Sequence, residues 1–251
     1  GQEGLNIESF AFKMDPDNGA LVWTQTYSDA GSIYFQASDI FEATAGGDYT
    51  ILGTIQNQNG QVTGCDGVFY TIDRNNGQIT TSRVHFHLGS CESFNSTVVR
   101  NGNFYVTGRV NFAGGGVNRM RAAIMSINSS GTAVWSRLYL VNPTVDARMY
   151  SEDISLDGPN NLIMLAHGDD NGTDVNTPDI WLTRTNLAGG AQWSIKYTFP
   201  EAVSSQEVLV VENGYVIVAS ARNSNTMYVT RVNGAGDVIW AKRLNDLENI
   251  R

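Results

Sequence analysis

A five-residue signature, Gly-x-x-x-Trp, recurs at Gly19–Trp23, Gly131–Trp135, Gly189–Trp193 and Gly236–Trp240, and a fifth copy, Gly77–Thr81, keeps the glycine and loses the indole. Recurrence at a spacing of about fifty residues marks a repeat, and a repeat dictates architecture before any single residue is interpreted. Around each signature the same unit can be traced. An apolar run closed by a small residue appears as Asp48–Gly53, Asn103–Gly108, Asn161–Ala166 and Gly214–Ala219. Its apolarity at every position predicts a strand covered on both faces, and the closing Gly or Ala predicts a close approach by a neighbour.

A variable segment follows (55–66, 109–119, 167–179 and 220–225), and then a hairpin. The hairpin turns are Asp15–Gly19, Asp73–Gly77, Asn128–Gly131, Asn186–Gly189 and Asn233–Gly236. Each opens with Asp or Asn, which bonds its own backbone, and ends with Gly, which takes positive φ. The return arm carries the tryptophan, and four residues later Tyr27, Tyr139 and Tyr197 recur on the same face. An innermost strand is the faintest signal, at about Asp39–Thr44, Phe94–Val99, Asp153–Leu156 and Glu207–Val211, beside Ser38, Ser93, Ser151 and Ser205.

The expected fold is all-β: a β-propeller of four-stranded antiparallel blades, with four complete blades plus an N-terminal outer hairpin, about five-bladed or part of a larger ring. One domain spans 1–251, with the hairpin at 9–27 and blades at about 38–86, 93–140, 151–198 and 205–244. The register implies a fragment of a longer chain, or a ring completed by another segment. Trp23, Trp135, Trp193 and Trp240 are expected to fill the gaps between blades.

Phe12–Trp23, with its Asp-x-x-x-Gly-x-x-x-Trp core, resembles the tryptophan-docking motif of quinoprotein-like (PQQ-like) β-propellers. Gly46-Gly47-Asp48-Tyr49, Asp179-Ile180-Trp181, and Trp193 with Tyr197 are similar to repeats in large secreted and surface proteins of Bacteroidota-type bacteria. The resemblance covers nearly the whole chain and implies a scaffold. The adjacent cysteine pair that lies over the quinone in quinoprotein dehydrogenases has no counterpart, so the resemblance does not extend to that cofactor.

Composition narrows the partners. The formal charge of −9 disfavours binding to nucleic acid or to anionic lipid headgroups, and no apolar run approaches the length of a membrane span. Cys65 and Cys91 flank the Asp73–Gly77 hairpin at nearly matched distances. A disulfide closing that hairpin is expected, which fits an oxidising compartment. It falls in the unit that lacks tryptophan, where a covalent clip would offset weaker docking.

Candidate chemistry is sparse. His85 and His87, two apart on a strand, share a face but lack a further ligand, and His167 offers no visible partner. Asp169, Asp170, Asn171 and Asp174 form an oxygen-rich loop that suits calcium, though not in EF-hand spacing. No Gly-x-Ser-x-Gly elbow supports a hydrolase triad. Asp39, Glu42, Asp153 and Glu207 lie near inner strands and are the carboxylates to test for glycoside chemistry. The function expected is a non-catalytic extracellular or cell-surface scaffold whose loops bind protein or glycan. The alternatives are a glycan-active propeller enzyme, or a subunit of a surface filament or larger secreted assembly that self-associates.

Overall fold

The computed structural model describes residues 8–27, 32–42, 44, 46–57, 65–85, 91–114, 117–139, 148–169 and 179–245. Strands β1 (Ser9–Met14) and β2 (Leu21–Tyr27) form a two-stranded hairpin. Four sheets of four sequential antiparallel strands follow. The first holds β3 (Ser32–Glu42), β4 (Tyr49–Asn57), β5 (Cys65–Ile72) and β6 (Ile79–His85). The second holds β7 (Glu92–Arg100), β8 (Asn103–Gly114), β9 (Val117–Asn128) and β10 (Ala133–Tyr139). β11 (Arg148–Asp157), β12 (Asn161–Asp169), β13 (Asp179–Asn186) and β14 (Ala191–Tyr197) form the third. The fourth comprises β15 (Val203–Val211), β16 (Gly214–Ala221), β17 (Met227–Asn233) and β18 (Val238–Leu244). The innermost strands β3, β7, β11 and β15 contact one another in succession, which is the radial stacking of a β-propeller.

The turns obey local chemistry. Asp73 Oδ1 accepts from the backbone N–H of Asn75, and Asn128, Asn186 and Asn233 accept in the same way from Ser130, Ala188 and Ala235. The closing glycines take φ of +71° to +90°. Gly77, Gly189 and Gly236 also receive the preceding sheet. Trp23 Nε1 donates to the carbonyl of Arg74 at 3.1 Å, and Tyr27 Oη donates to Gly77 at 2.8 Å. Tyr139 and Tyr197 repeat the bond on Gly189 and Gly236, at 2.9 and 2.7 Å. A Cβ on Gly77 would sit 2.8 Å from the Trp23 ring, and one on Gly189 2.7 Å from Trp135. Trp193 meets Tyr215 edge-on at 6.0 Å between ring centres. Each of these three joints, at Gly77, Gly189 and Gly236, therefore combines an indole, a phenol hydroxyl and a glycine without side chain.

Trp240 departs from the docking expected of it. It is 40% exposed where Trp23 is 8% exposed, and its ring carries Lys242 Nζ at 5.5 Å rather than a further sheet. At the opposite end Phe10 and Phe12 stack on each other on an exposed face of the hairpin.

The innermost strands begin earlier than the sequence suggests, because each contains a β-bulge that breaks the alternation. The extra residues are Ser38, Asn95, Glu152 and Gln206. The small residues Gly53, Gly108, Ala166 and Ala219 each pair with the residue just before a bulge. A Cβ on Gly108 would overlap the carbonyl oxygen of Ser93 on the neighbouring strand, which is why only a small residue fits there. The segment 109–119, expected to be a loop, is mostly ladder, since β8 and β9 pair out to Gly114 and Val117.

Cys65 and Cys91 are bonded. The expected hairpin clip is corrected in one respect. Cys65 opens β5 opposite Gln56, whereas the Cys91 carbonyl accepts from Asn111 of β8, so the bond ties the first sheet to the second. That is the joint whose signature ends in Thr81.

Three stability changes are expected on urea unfolding. Gly189→Ala, with positive φ and no room, loses about 1–3 kcal/mol. Tyr197→Phe loses about 1 kcal/mol, the net worth of one hydrogen bond. Reduction of Cys65–Cys91 loses about 2–4 kcal/mol.

Candidate functional site

Around the axis the bulged residues form a relay. Ser38 Oγ donates to the carbonyl of Phe94 in the second sheet at 2.6 Å, and Asn95 Nδ2 donates to that of Ser151 in the third at 2.7 Å. In both cases the side chain of the bulge reaches the residue preceding the next bulge. The residues after the bulges make a second set of links. Asp39 Oδ2 accepts from the Thr97 N–H at 3.0 Å, Asp153 Oδ2 from Val208 N–H at 2.8 Å, and Asp153 Oδ1 from Ser96 Oγ at 2.8 Å. Burial pushes the Asp39 carboxyl up, against the two backbone N–H groups that pull it down. Asp39 and Asp153 are thus inter-sheet staples. Glu42 accepts from Gly46 N–H and pairs with Arg74 at 3.0 Å, and Glu207 is exposed on β15. Asp153 stands near enough across β7 for its charge to add to the rise at Asp39, while both carboxylates are taken up by these links.

The donor relay stops at Glu152. A carboxylate cannot donate to the fourth sheet as Ser38 and Asn95 do to theirs, and a different cluster occupies the position. Glu152 Oε2 accepts from Asn95 Nδ2 at 3.1 Å, and Oε1 lies 3.7 Å from His167 Nδ1. His167 Nδ1 also meets Ser205 Oγ at 3.0 Å, and its ring stacks on Tyr150 at 5.2 Å. Arg109 lies over the Tyr150 ring, 5.6 Å from its centroid, and Arg222 Nε donates to Ser204 Oγ. The absence of a visible partner for His167 is corrected here: its partners come from two bulges that the sequence does not reveal.

Electrostatics sharpen the cluster. Burial raises the Glu152 carboxyl, opposed by the Arg109 and Arg222 charges. Burial, then Arg222 and Arg109, lowers the His167 imidazole to about 3, so the ring is neutral at ordinary pH. Ser205 and Glu152 both approach the same ring nitrogen, whereas a nucleophile–base–acid triad needs one on each. Beside the cluster opens a cleft of about 340 Å³ lined by Gln36, Ser38, Thr54, Asn95, Arg109 and Glu152, among others. Its walls offer amide, hydroxyl, guanidinium and carboxylate groups.

Of the other candidates, His85 ends β6, while His87 lies outside the described residues. Asp169 ends β12, and Asp170, Asn171 and Asp174 lie outside the described residues. Among the described residues no three His, Cys, Asp or Glu gather as a metal site. No described helix is long and apolar enough to cross a membrane.

The His167 environment gives a pH dependence. The folded imidazole stays neutral down to about pH 3, while in the unfolded chain it protonates near 6.5. The unfolded state therefore binds more protons between those values, and stability falls as pH is lowered through that window. Glu152 acts in the opposite sense, since its raised carboxyl takes up a proton first in the folded state. Urea titrations at stepped pH are expected to show a shallower acid loss for His167→Gln than for the unaltered protein.

No protein-family model matches the chain, and neither does any curated protein. Solved structures do match in fold. A variant of Synechocystis apocarotenoid oxygenase aligns over 94% of this chain and 55% of its own, with TM-score 0.51 and 10% identity. The periplasmic gluconolactonase of Pseudomonas aeruginosa aligns over 95% and 77%, with TM-score 0.49 and 12% identity. A subtype N10 neuraminidase-like protein of A/little yellow-shouldered bat/Guatemala/060/2010 aligns over 78% and 55%, with TM-score 0.48 and 10% identity. The chain spans about half the length of the oxygenase and of the neuraminidase-like protein. At such identities the likeness speaks to fold alone.

Proposed function

We propose that this propeller is a non-catalytic extracellular binding scaffold that takes a glycan or a polar protein segment in the cleft beside Glu152. One observation carries the reading. The relay of bulged side chains is structural at Ser38 and Asn95 and abandoned at Glu152, where a half-buried carboxylate faces a polar cleft instead of the next sheet. A departure from a repeated structural device, at a group held away from its ordinary pKa, is where recognition chemistry is to be sought. Sugar hydroxyls suit such a mixed donor and acceptor wall. The inter-sheet roles of Asp39 and Asp153 argue against their use as catalytic acids. The disulfide supports an oxidising compartment, which is consistent with a secreted or surface location. The aromatic docking joints support the tryptophan-docking, quinoprotein-like class as the scaffold type.

A second reading, a glycan-active enzyme, draws on the same residue: the raised carboxyl of Glu152 would serve as general acid. Binding to an array of neutral and acidic oligosaccharides and of surface proteins separates the two. Arg109→Ala and Glu152→Gln are expected to weaken the selected ligand by about tenfold or more, with thermal unfolding unchanged. Turnover of any bound glycan, lost in Glu152→Gln with binding kept, would replace the scaffold reading with the enzyme. An array that captures nothing would remove the cleft as a binding site.

A further inference from the structure

The joint between the first and second sheets lacks an indole, and the space that an indole fills elsewhere is open. At the hairpin joint Trp23 packs between its own strand and the next sheet, with Nε1 on the carbonyl of the second turn residue, Arg74. Trp135 and Trp193 take the equivalent places at the third and fourth sheets, against Gly189 and Tyr215. In the first sheet the same position is Thr81, in register with Thr71. A cavity of about 460 Å³ lies there, lined by Thr71, Thr81 and Phe69 on one side and by Phe104, Ser129 and Gly131 on the other. Phe104 is the second residue of β8, as Tyr215, which meets Trp193, is of β16.

We propose that this slot is a binding site for a tryptophan side chain presented by a partner polypeptide. Three arguments favour that occupant over another apolar group. The slot lies where the chain's own tryptophans lie at the other joints, so its walls repeat surfaces that already hold indole. Phe69 and Phe104 are both buried, 5% and 4% exposed, and supply ring contacts at its floor. Ser129, Ser130 and Thr81 also line the slot, and their oxygens offer acceptors to an indole N–H that an aliphatic side chain cannot use. The joint does not depend on an occupant, because the disulfide, Ser38 on Phe94, Asp39 on Thr97, and the Phe41–Phe104 and Phe69–Phe94 ring pairs already hold it.

The site lies at the outer, turn-bearing end of the joint, apart from the Glu152 cleft, so the two proposals stand or fall separately. Calorimetry and ligand-observed NMR with N-acetyl-L-tryptophanamide test it on the whole chain, with N-acetyl-L-leucinamide as control. Saturable binding of the tryptophan amide is expected, with the leucine amide at least about tenfold weaker. Thr81→Trp is expected to fill the slot from within, to abolish that binding and to raise the unfolding temperature. Ser130→Trp, on the exposed turn opposite, blocks the slot from the other wall and serves if Thr81→Trp misfolds. Equal binding of both amides, undiminished binding in the blocked variants, or no binding of the tryptophan amide would each overturn the proposal.

Discussion

The structure depends on a small set of contacts made where an aromatic side chain of one sheet reaches the glycine turn of the next. A four-stranded sheet is apolar on both faces and cannot hide them alone, so the energy of the fold resides between sheets. The indole supplies area, the tyrosine hydroxyl fixes register through a directional bond, and the glycine removes the Cβ that would hold the two apart. The glycine has two reasons to be there. Its φ is positive, and the space where a side chain would project is already taken by the ring of the preceding sheet.

The same logic is repeated in polar form near the axis. There the sheets converge, and short side chains on or beside β-bulges carry the links. A bulge turns one residue of the inner strand toward the neighbouring sheet without disturbing the ladder on either side. Ser38 and Asn95 use this to donate, Asp39 and Asp153 to accept. Glu152 inherits the geometry without the donor, which frees it to gather Asn95 and His167 around a cleft.

The outer parts of each blade were legible in the sequence because their rules are local. Asp or Asn, then Gly, then Trp is a turn followed by a docking strand, and periodicity fixes the strands on either side. The inner strands were legible only as positions. An alignment that ignores bulges pairs Ser38 with Ser93, Ser151 and Ser205, whereas the structure pairs Ser38 with Asn95, Glu152 and Gln206. Glu152 was missed for that reason: it stands out only when set beside Ser38 and Asn95. His167 looked solitary because its partners, Tyr150 and Ser205, come from two other strands. The cysteines could be paired by spacing, yet their role across two sheets depends on where β7 begins.

The antiparallel meander places the glycine turns at one end of every blade and the connections between second and third strands, with those between blades, at the other. The Gly77, Gly189 and Gly236 joints therefore lie a full strand length from Arg109, Glu152, His167 and Arg222. Groups that far apart and without shared partners contribute almost additively. Sequence change in the connecting segments can thus explore new surfaces with little effect on cohesion between blades. The repeat keeps cohesion at one end of each blade and the segments that differ most between units at the other.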